Sequence, residues 1–331
     1  MADLTAAVAP LRISLAGGGT DLPSYADRFG GDVLSFAIDR CAAVVRFPRE
    51  FGRQVAGWLS VPDPATGSHA VLDNEIAAAV LRDADTSSGC QIVSAGDAPG
   101  GTGLGSSAAF AVAMVAASRP VGRFEPRAVA EEAFRVETQT LGRPVGRHDH
   151  YMAAMGGLRH LRFGDGGVAA GPVPVPPDLD RFIGERLLLF FTGRTRDAGA
   201  MLTGQHCRTL AGDPRTIELL HGIHRLVPPM REALAASRFD DIGPILGEHW
   251  ELKRRLSPGI TDERIEDHYR SARRAGASGG KLLGAGGGGF LLLAGEDGRE
   301  AEVRQAMEAR GLRELTFRYR ERGATTAALA L

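Results

Sequence analysis

The sequence feature that most constrains the fold is a glycine-rich segment, DAPGGTGLGSSAAF at residues 97–110, that leads into an alanine-rich run. Alanine has the highest helix propensity, so the run SSAAFAVAMVAA predicts a buried helix over residues 106–117. Four glycines at the head of this helix, Gly100, Gly101, Gly103 and Gly105, free successive backbone N–H groups. Such amides can hold an anion without a lysine. The alternative is a turn that only lets the helix pack closely against a strand.

Other phosphate-binding patterns are absent or incomplete. The Walker pattern requires Gly-Lys-Ser/Thr, which occurs nowhere in the sequence. Gly284, Gly286 and Gly289 spell G-x-G-x-x-G, but the strand-like run FLLL follows where a dinucleotide-binding fold requires a helix. In the first segment, the hydroxyl of Ser106 or Ser107 can add a hydrogen bond or reach Mg²⁺, which prefers oxygen ligands. The sequence therefore favours a phosphate site at residues 97–110.

Size and charge narrow the class of partner. A chain of 331 residues favours two domains, and 39 Lys+Arg against 40 Asp+Glu leave no field that would recruit nucleic acid or an anionic membrane. Three distant cysteines argue against a disulfide framework and for a reducing compartment, so we expect a cytoplasmic protein. No stretch approaches the roughly 20 apolar residues of a membrane span, and the first residues lack a leader pattern. A small molecule is the expected partner, and a homo-oligomer is left open.

Periodicity indicates the main elements. Leu11, Ile13 and Leu15 alternate with polar or small residues, which predicts a strand that ends at the glycines of residues 17–19 and is followed by Thr20 and Asp21. A second helix is predicted from about residue 127 to 141, and a central strand at LLLFF, residues 187–191. The proline-rich connector at residues 171–180 predicts a domain boundary. Beyond it, three helices are expected: one that ends at Pro228 and Pro229, one over residues 241–256 and one over residues 262–275.

A glutamate interrupts the apolar stripe of the second helix. Ala130, Phe134, Glu137 and Leu141 recur at helical spacing, so Glu137 shares the buried face. Burying a bare carboxylate is costly unless a cation or hydrogen-bond donors meet it. The alternative is that Glu137 lies at the edge of the stripe and reaches water.

The segment VGRHDHYMAAMGG, residues 145–157, concentrates charged groups after that helix. His148 and His150 resemble an H-x-H metal pair, but no second ligand cluster at suitable spacing supports a hydrolase metal site. Asp149 is a candidate proton acceptor, because a carboxylate oriented by a neighbouring cation can orient an alcohol nucleophile. A solvated surface loop remains the alternative.

Three separated stretches, APLRISLAGGGTDL, DAPGGTGLGSSAAF and GGKLLGAGGGGFLLL, together resemble the three motifs of the GHMP kinase superfamily, in the same order and at similar spacing. Within it, the first motif and the stretch ELKRRLSPGIT are similar to the sugar-1-kinase branch. The resemblance implies a two-domain α+β fold: residues 1–180 as a mixed α/β nucleotide-binding domain and residues 181–331 as a ferredoxin-like α+β domain. It also implies transfer of the γ-phosphoryl group of ATP to the anomeric hydroxyl of a heptose 7-phosphate or a related sugar.

The resemblance assigns roles to residues already noted. Asp149 would be the catalytic aspartate, and Arg12 would steady it and the transferring group. Ser107 and Glu137 would hold Mg²⁺. The residues that would wrap the ATP phosphates are Gly101, Thr102, Gly103, Leu104, Gly105, Ser106 and Ser107.

Other residues would contact the sugar. The expected set is Gly18, Gly19, Thr20, Asp21, Arg196, Gly286 and Gly287. If the acceptor already bears a phosphate, Arg196 and either Lys253 or Arg254 are candidates to hold it, since basic side chains pair well with phosphate oxygens. Each can equally be a solvated charge on a helix or loop.

The sequence departs from this branch around Asp149. The branch usually reads Gly-Lys-Gln-Asp-Gln-Tyr, whereas residues 146–151 here read Gly-Arg-His-Asp-His-Tyr. Arg147 keeps the charge of a lysine but changes its geometry, and the two histidines titrate near neutrality. An unphosphorylated hexose or a specialised heptose is therefore the alternative acceptor. A catalytically silent protein that binds nucleotide and sugar is the alternative from another class.

Overall fold

The structure is a computed structural model that describes residues 4–48, 74–83, 90–120, 122, 124–164, 166–195 and 198–329. The strands are β1 (Leu4–Ala16), β2 (Gly31–Pro48), β3 (Cys90–Gly96), β4 (Leu158–Gly164), β5 (Gly167–Pro172), β6 (Leu187–Phe191), β7 (Ala277–Leu282), β8 (Phe290–Gly295), β9 (Arg313–Glu314) and β10 (Thr325–Leu329). The α-helices are α1 (Pro23–Phe29), α2 (Glu75–Asp83), α3 (Ser106–Ala117), α4 (Pro126–Arg135), α5 (His148–Met155), α6 (Leu179–Glu185), α7 (Ala198–Leu210), α8 (Pro214–Arg225), α9 (Val227–Ala235), α10 (Ile242–Lys253), α11 (Glu263–Ala275) and α12 (Glu300–Glu308).

The first sheet is antiparallel and has the order β10-β1-β2-β4-β5, with β3 also paired to β2. The long strand β2 can pair with three partners because different parts of it meet β1, β3 and β4. Helix α3 packs against β1 and β2 on one side and against α4 and α5 on the other. Its alanines are almost wholly buried, as the sequence predicts for an inner helix.

The second sheet is antiparallel with the order β7-β8-β6-β9. Helix α10 packs against β7 and β8, and α11 also lies on β7. This arrangement confirms the predicted α+β class with two sheet-based layers. The proposed boundary at residue 180 falls between β5 and β6 but lies inside helix α6. The last strand returns to the first sheet, because β10 pairs with β1.

Most predicted elements are confirmed with small shifts in their bounds, and two expectations are corrected. Pro228 and Pro229 begin α9 rather than end a helix, because the first turn of a helix needs no N–H donor at those positions. The predicted helix over residues 127–141 is α4 followed by a π-helical turn, Val136–Thr140. Helix α11 begins after Asp262, whose side chain caps it, and ends at the left-handed Gly276, as predicted.

No helix within the described parts of the chain is both long and apolar enough to span a bilayer. Cys41 and Cys207 are free thiols.

Candidate active site

A cavity of about 720 Å³ lies between elements of both sheets. We call it the main cavity. Its walls come from β1, the turn at residues 18–22, the glycine loop (residues 100–105), the head of α3, the segment 143–150, helix α10 and the third glycine segment (residues 284–289). The three motif regions, far apart in sequence, therefore face one space.

The glycine loop presents amides at the head of α3. Gly105 is the N-cap of α3 in the left-handed conformation (φ 74°) and supplies no side-chain cap. The N–H groups of the first helical turn are therefore available to an anion, and the helix dipole favours negative charge there. A Cβ on Gly103 would come within 2.6 Å of the Leu283 carbonyl oxygen, so the loop needs glycine to lie against the third glycine segment.

Arg12 and Asp149 form a two-point ion pair. Arg12 Nε donates to Asp149 Oδ1 at 2.8 Å, Nη2 donates to Oδ2 at 2.6 Å, and Nη1 donates to the Gly103 carbonyl oxygen at 2.5 Å. His148 Nδ1 lies 2.9 Å from Asp149 Oδ1. Burial raises the pKa of Asp149, but the charge of Arg12 and the hydrogen bond from His148 outweigh burial and hold the pKa well below its usual range. Asp149 is therefore an ionised carboxylate, fixed in orientation, on the wall of the main cavity.

Glu137 is buried, with 2% of its side chain exposed, so the interpretation that it reaches water is wrong. Its Oε1 accepts hydrogen bonds from Ser107 Oγ at 2.7 Å and Arg143 Nη1 at 3.1 Å, and its Oε2 lies 2.8 Å from His150 Nε2. Burial raises the pKa of Glu137, and His150, Ser107 and Arg143 together lower it below its usual value. An ionised carboxylate thus contacts the serine at the head of α3.

The π-helical turn explains why Glu137 reaches this position. A π turn inserts an additional residue into the helical repeat and is frequent at functional sites. It lets the carboxylate of Glu137 face Ser107 and His150 while Val136 stays in the core.

The H-x-H pattern of His148 and His150 does not bring the two rings to one site. His148 contacts Asp149, whereas His150 contacts Glu137, so the two rings serve different carboxylates. Among the described residues no group of three or more His, Cys, Asp or Glu side chains could hold a metal ion.

The turn after β1 brings Asp21 to the main cavity. Asp21 Oδ1 accepts from the Gly19 backbone N–H at 3.2 Å, and Oδ2 accepts from the His148 backbone N–H at 3.3 Å. Gly18 and Gly19 also line the main cavity. Thr20 does not: it is fully buried and donates its hydroxyl to the Gly17 carbonyl oxygen at 2.8 Å, which holds the turn together.

The third glycine segment forms the side of the main cavity opposite the turn after β1. Gly284, Gly286 and Gly288 line the main cavity, whereas Gly287 does not and donates its N–H to the Ile260 carbonyl oxygen at 2.7 Å. Lys253 Nζ donates to the carbonyl oxygens of Leu282 at 2.7 Å and Gly284 at 2.5 Å.

The other predicted residues are distributed as follows. Gly101, Gly103, Gly105, Ser106 and Ser107 line the main cavity, and the buried side chains of Thr102 and Leu104 do not. The guanidinium of Arg254 is held by Glu251 and Glu266 at 2.5 and 2.8 Å, which leaves it committed to carboxylates. Arg196 lies outside the described residues.

Some cavity residues escape the motif analysis. Arg143, Gln205 and His249 line the main cavity, although no local pattern marks them. Gln205 Nε2 donates to the Gly19 carbonyl oxygen at 2.9 Å across the cavity. These residues come together only through tertiary packing, so single-sequence periodicity carries no signal for them.

A second cavity, of about 460 Å³, adjoins the main cavity. The two share Gly100, Ser106, Ser107 and Arg143. Apolar side chains of Leu11, Ile76 and Phe110 line the second cavity. The head of α3 therefore lies between the two cavities.

Comparison with known proteins shows matches to two family models and to a similar enzyme. Residues 72–157 match the model for the GHMP kinases N terminal domain, and residues 230–312 match the model for the GHMP kinases C terminal domain. The chain is 30% identical over 303 residues to a D-glycero-alpha-D-manno-heptose 7-phosphate kinase of Campylobacter jejuni, covering 86% of this chain and 87% of that protein.

Two further likenesses extend this pattern. The chain is 26% identical to a bifunctional fucokinase/GDP-fucose pyrophosphorylase of Arabidopsis thaliana, covering 90% of this chain and 30% of that longer protein. A crystal structure of a D-glycero-D-manno-heptose 1-phosphate kinase from Bacteroides thetaiotaomicron is 25% identical, with a TM-score of 0.76, and covers 99% of this chain and 100% of that one.

Proposed function

The chain belongs to the GHMP kinase family of phosphotransferases, and from this premise we propose that it transfers the γ-phosphoryl group of ATP to the anomeric hydroxyl of a heptose 7-phosphate or a related sugar. The single observation that carries the proposal is the convergence of two pairs on one cavity: Arg12 with Asp149, and Ser107 with Glu137. One pair suits an acceptor hydroxyl, and the other suits a magnesium ion that accompanies a phosphate chain.

The two adjoining cavities suggest where the phosphoryl donor would bind. The second cavity offers apolar contacts for a nucleoside, and the phosphates would extend past Ser106 and Ser107 into the main cavity. The free amides of the glycine loop and of the first turn of α3 would neutralise phosphate charge there. This supports ATP as the phosphoryl donor, as in the family.

A magnesium ion fits the residues at the head of α3. Mg²⁺ takes oxygen ligands and is commonly held by one or two protein oxygens together with substrate phosphates and water. Glu137 is ionised, buried and in contact with the Ser107 hydroxyl on the wall of the main cavity, so this pair offers such oxygens without a dedicated cage. When bound, Mg²⁺ supplies neutralisation of charge on the phosphate oxygens.

Asp149 would accept a hydrogen bond from the acceptor hydroxyl and fix its direction of attack. Because Arg12 and His148 lower the pKa of Asp149, this carboxylate is a weak base, and it orients the hydroxyl before it takes the proton. Phosphoryl transfer passes through a loose transition state and needs positioning and charge stabilisation more than strong base catalysis. Arg12, held by Asp149 and the Gly103 carbonyl, would stabilise the transferring group.

An ATP-consumption assay over a panel of free sugars and sugar phosphates, with the Asp149→Asn variant as the inactive control, tests this proposal. We expect turnover with a phosphorylated heptose that depends on Asp149. Turnover with free hexoses or heptoses alone would favour the alternative acceptor class, to which the similarity with a fucokinase gives some support. Nucleotide binding without turnover on any sugar would favour the silent binding protein.

A further inference from the structure

The protein uses lysine in an unusual way. Of its 39 lysine and arginine residues only Lys253 and Lys281 are lysines. Both are buried, with 7% and 1% of the residue exposed. Lysine is seldom buried, because its ammonium loses hydration in the interior. A chain that uses arginine for every other basic position keeps lysine only inside the protein.

The fold places these lysines in one wall of the main cavity. Lys253 lies at the end of α10 and Lys281 lies in β7, and the two elements pack together at Gly243 and Gly279. A Cβ on Gly279 would lie 1.8 Å from the Gly243 carbonyl oxygen, so close packing of α10 on β7 depends on these glycines. His249 precedes Lys253 by four residues and therefore shares its face of α10.

The wall has positive groups without matching carboxylates. Lys253 donates to two backbone carbonyls, and Lys281 Nζ donates to the Leu15 carbonyl oxygen at 3.1 Å. Within the described parts of the chain, neither ammonium forms an ion pair with a carboxylate. Burial, with the nearby Arg12 charge as a smaller cause, lowers the pKa of Lys253 to about 7. When such buried lysines are protonated, an anion normally compensates their charge.

His249 also indicates that an anionic ligand binds at this wall. The residue is 1% exposed and lines the main cavity, and among the described residues its ring nitrogens make no hydrogen bond of ordinary geometry, although the ring lies close to the Gly18 backbone. Burial and the charges of Lys281 and Lys253 lower the pKa of His249 well below its usual value, against a smaller opposing effect of the Gly18 backbone. An unsatisfied ring in a polar wall is costly unless a ligand meets it.

We propose that His249 and Lys253, with Lys281 behind them, form a subsite for a phosphate group carried by the acceptor. The inference rests on the proposed function and names the residues that would select a phosphorylated sugar. His249 and Lys253 line the main cavity and would contact the phosphate oxygens, whereas Lys281 does not line it and would add charge from behind.

The chemistry favours this ligand over the transferring phosphoryl group. Under the proposed function, Arg12, the glycine loop and the Ser107–Glu137 pair would face the nucleotide phosphates. His249 instead lies beside Gly18, in the turn expected to contact the sugar. A lysine side chain binds phosphate as a compact ammonium and can lose its proton to become a neutral amine when the site is empty, which a guanidinium cannot do.

The two lysines allow a direct test by NMR. Protein labelled with ¹³C at lysine Cε gives only two lysine side-chain signals, which Lys253→Arg assigns. With ADP and Mg²⁺ saturating, mannose 6-phosphate is added, and mannose serves as the unphosphorylated control. We expect both Cε signals to shift with mannose 6-phosphate and to stay in place with mannose.

Two results would overturn the subsite. Signals that stay in place with mannose 6-phosphate would exclude a phosphate bound near these lysines. Equal shifts on replacing ADP by a non-hydrolysable ATP analogue, without any sugar, would assign the wall to the transferring phosphoryl group.

A kinetic test uses His249→Asn, with His268→Asn as the matched control. His268 is also buried, but it lies on α11 in contact with Arg264 and Arg310 and does not line the main cavity. The quantity is the ratio of kcat/KM for a phosphorylated acceptor to kcat/KM for the same sugar without phosphate. We expect His249→Asn to lower this ratio about tenfold or more, since charge-assisted hydrogen bonds are lost, and His268→Asn to leave it unchanged. An unchanged ratio in His249→Asn would overturn the proposal.

Failure of the kinase function is distinguishable from failure of the subsite. If no sugar is phosphorylated but mannose 6-phosphate shifts the lysine signals, the subsite is supported and the proposed reaction is contradicted. If sugars are phosphorylated but mannose 6-phosphate does not shift the lysine signals, the proposed reaction is supported and the subsite is contradicted.

Discussion

Gly103 of the glycine loop lies so close to Gly284 of the third glycine segment that a Cβ on Gly284 would come within 2.3 Å of the Gly103 Cα. This contact joins a loop of the first sheet's layer to a loop of the second. Arg12 reinforces it, because its guanidinium donates to the Gly103 carbonyl oxygen. The two halves of the main cavity are therefore held together by glycine packing at the site itself.

This packing predicts that Gly103→Ala is strongly destabilising. Gly103 has φ 86°, and a Cβ would meet backbone atoms that cannot move independently, so we expect a loss of about 2 kcal/mol or more in the free energy of unfolding. Chemical denaturation measures this loss. Gly184→Ala is the control, since a Cβ there meets nothing within 4 Å and lies in helix α6. Equal stability of the two variants would contradict the close contact.

Asp149→Asn should abolish most turnover while the protein still binds nucleotide. Asparagine keeps the shape of the side chain but loses the charge that fixes Arg12 and accepts the hydroxyl proton. We expect kcat to fall by about 10²–10⁴-fold, with the Kd for ATP within a few-fold of the unmodified protein. Single-turnover kinetics and nucleotide titration measure the two quantities. Near-normal kcat would remove Asp149 from the mechanism.

Glu137→Gln should raise the Mg²⁺ requirement. The amide keeps contacts with Ser107 but lacks the negative charge, so we expect the half-saturating Mg²⁺ concentration to rise about tenfold or more. Glu132→Gln is a control in the neighbouring helix α4, where the carboxylate pairs with Arg119. The readout is ATP turnover against Mg²⁺ concentration for both variants. A superimposable metal titration for Glu137→Gln would assign this carboxylate a purely structural role.

The sequence predicted the elements whose signals are local. The alanine-rich helix α3 and the strand before Gly17 follow from propensity and alternation. Glu137 stands out as a charge on an apolar helical stripe, Asp149 as a carboxylate beside a cation, and the family resemblance assigns their roles. The start of α9 at the prolines was missed, because proline is compatible with both the end and the beginning of a helix. The π turn was missed because it leaves the apolar stripe nearly unchanged.

Of the wall formed by His249, Lys253 and Lys281, the sequence patterns single out only Lys253, as one candidate for an acceptor phosphate, and do not bring the three residues together. Its residues come from α10 and β7, and their burial depends on packing between Gly243 and Gly279. One signal in the sequence did exist: the near-exclusive use of arginine leaves the two lysines conspicuous. The rarity of one residue type in a sequence can thus draw attention to buried residues that no motif contains.

The buried Lys253 predicts a specific dependence of stability on pH. Its pKa falls from 10.5 to about 7 on folding, so between these values the unfolded state holds more protons than the folded state. The free energy of unfolding therefore rises with pH through this window, and the folded state is penalised below pH 7. The groups that face the ammonium are Arg12, Lys281, His249 and the carbonyl oxygens of Leu282 and Gly284.

Denaturant unfolding of the full chain between pH 7 and 9 measures this slope, and the variants are compared with one another because all share the three cysteines, which titrate at about pH 8.5. We expect Lys253→Met to flatten the rise in the free energy of unfolding with pH, because a neutral side chain takes no part in the proton balance. Lys281 has a pKa lowered in the same direction, so the slope should fall further in the double variant with Lys281→Met. Absolute stability is a poorer measure, since methionine also loses the hydrogen bonds to Leu282 and Gly284. An unchanged slope in the double variant would mean that both lysines stay charged in the folded protein.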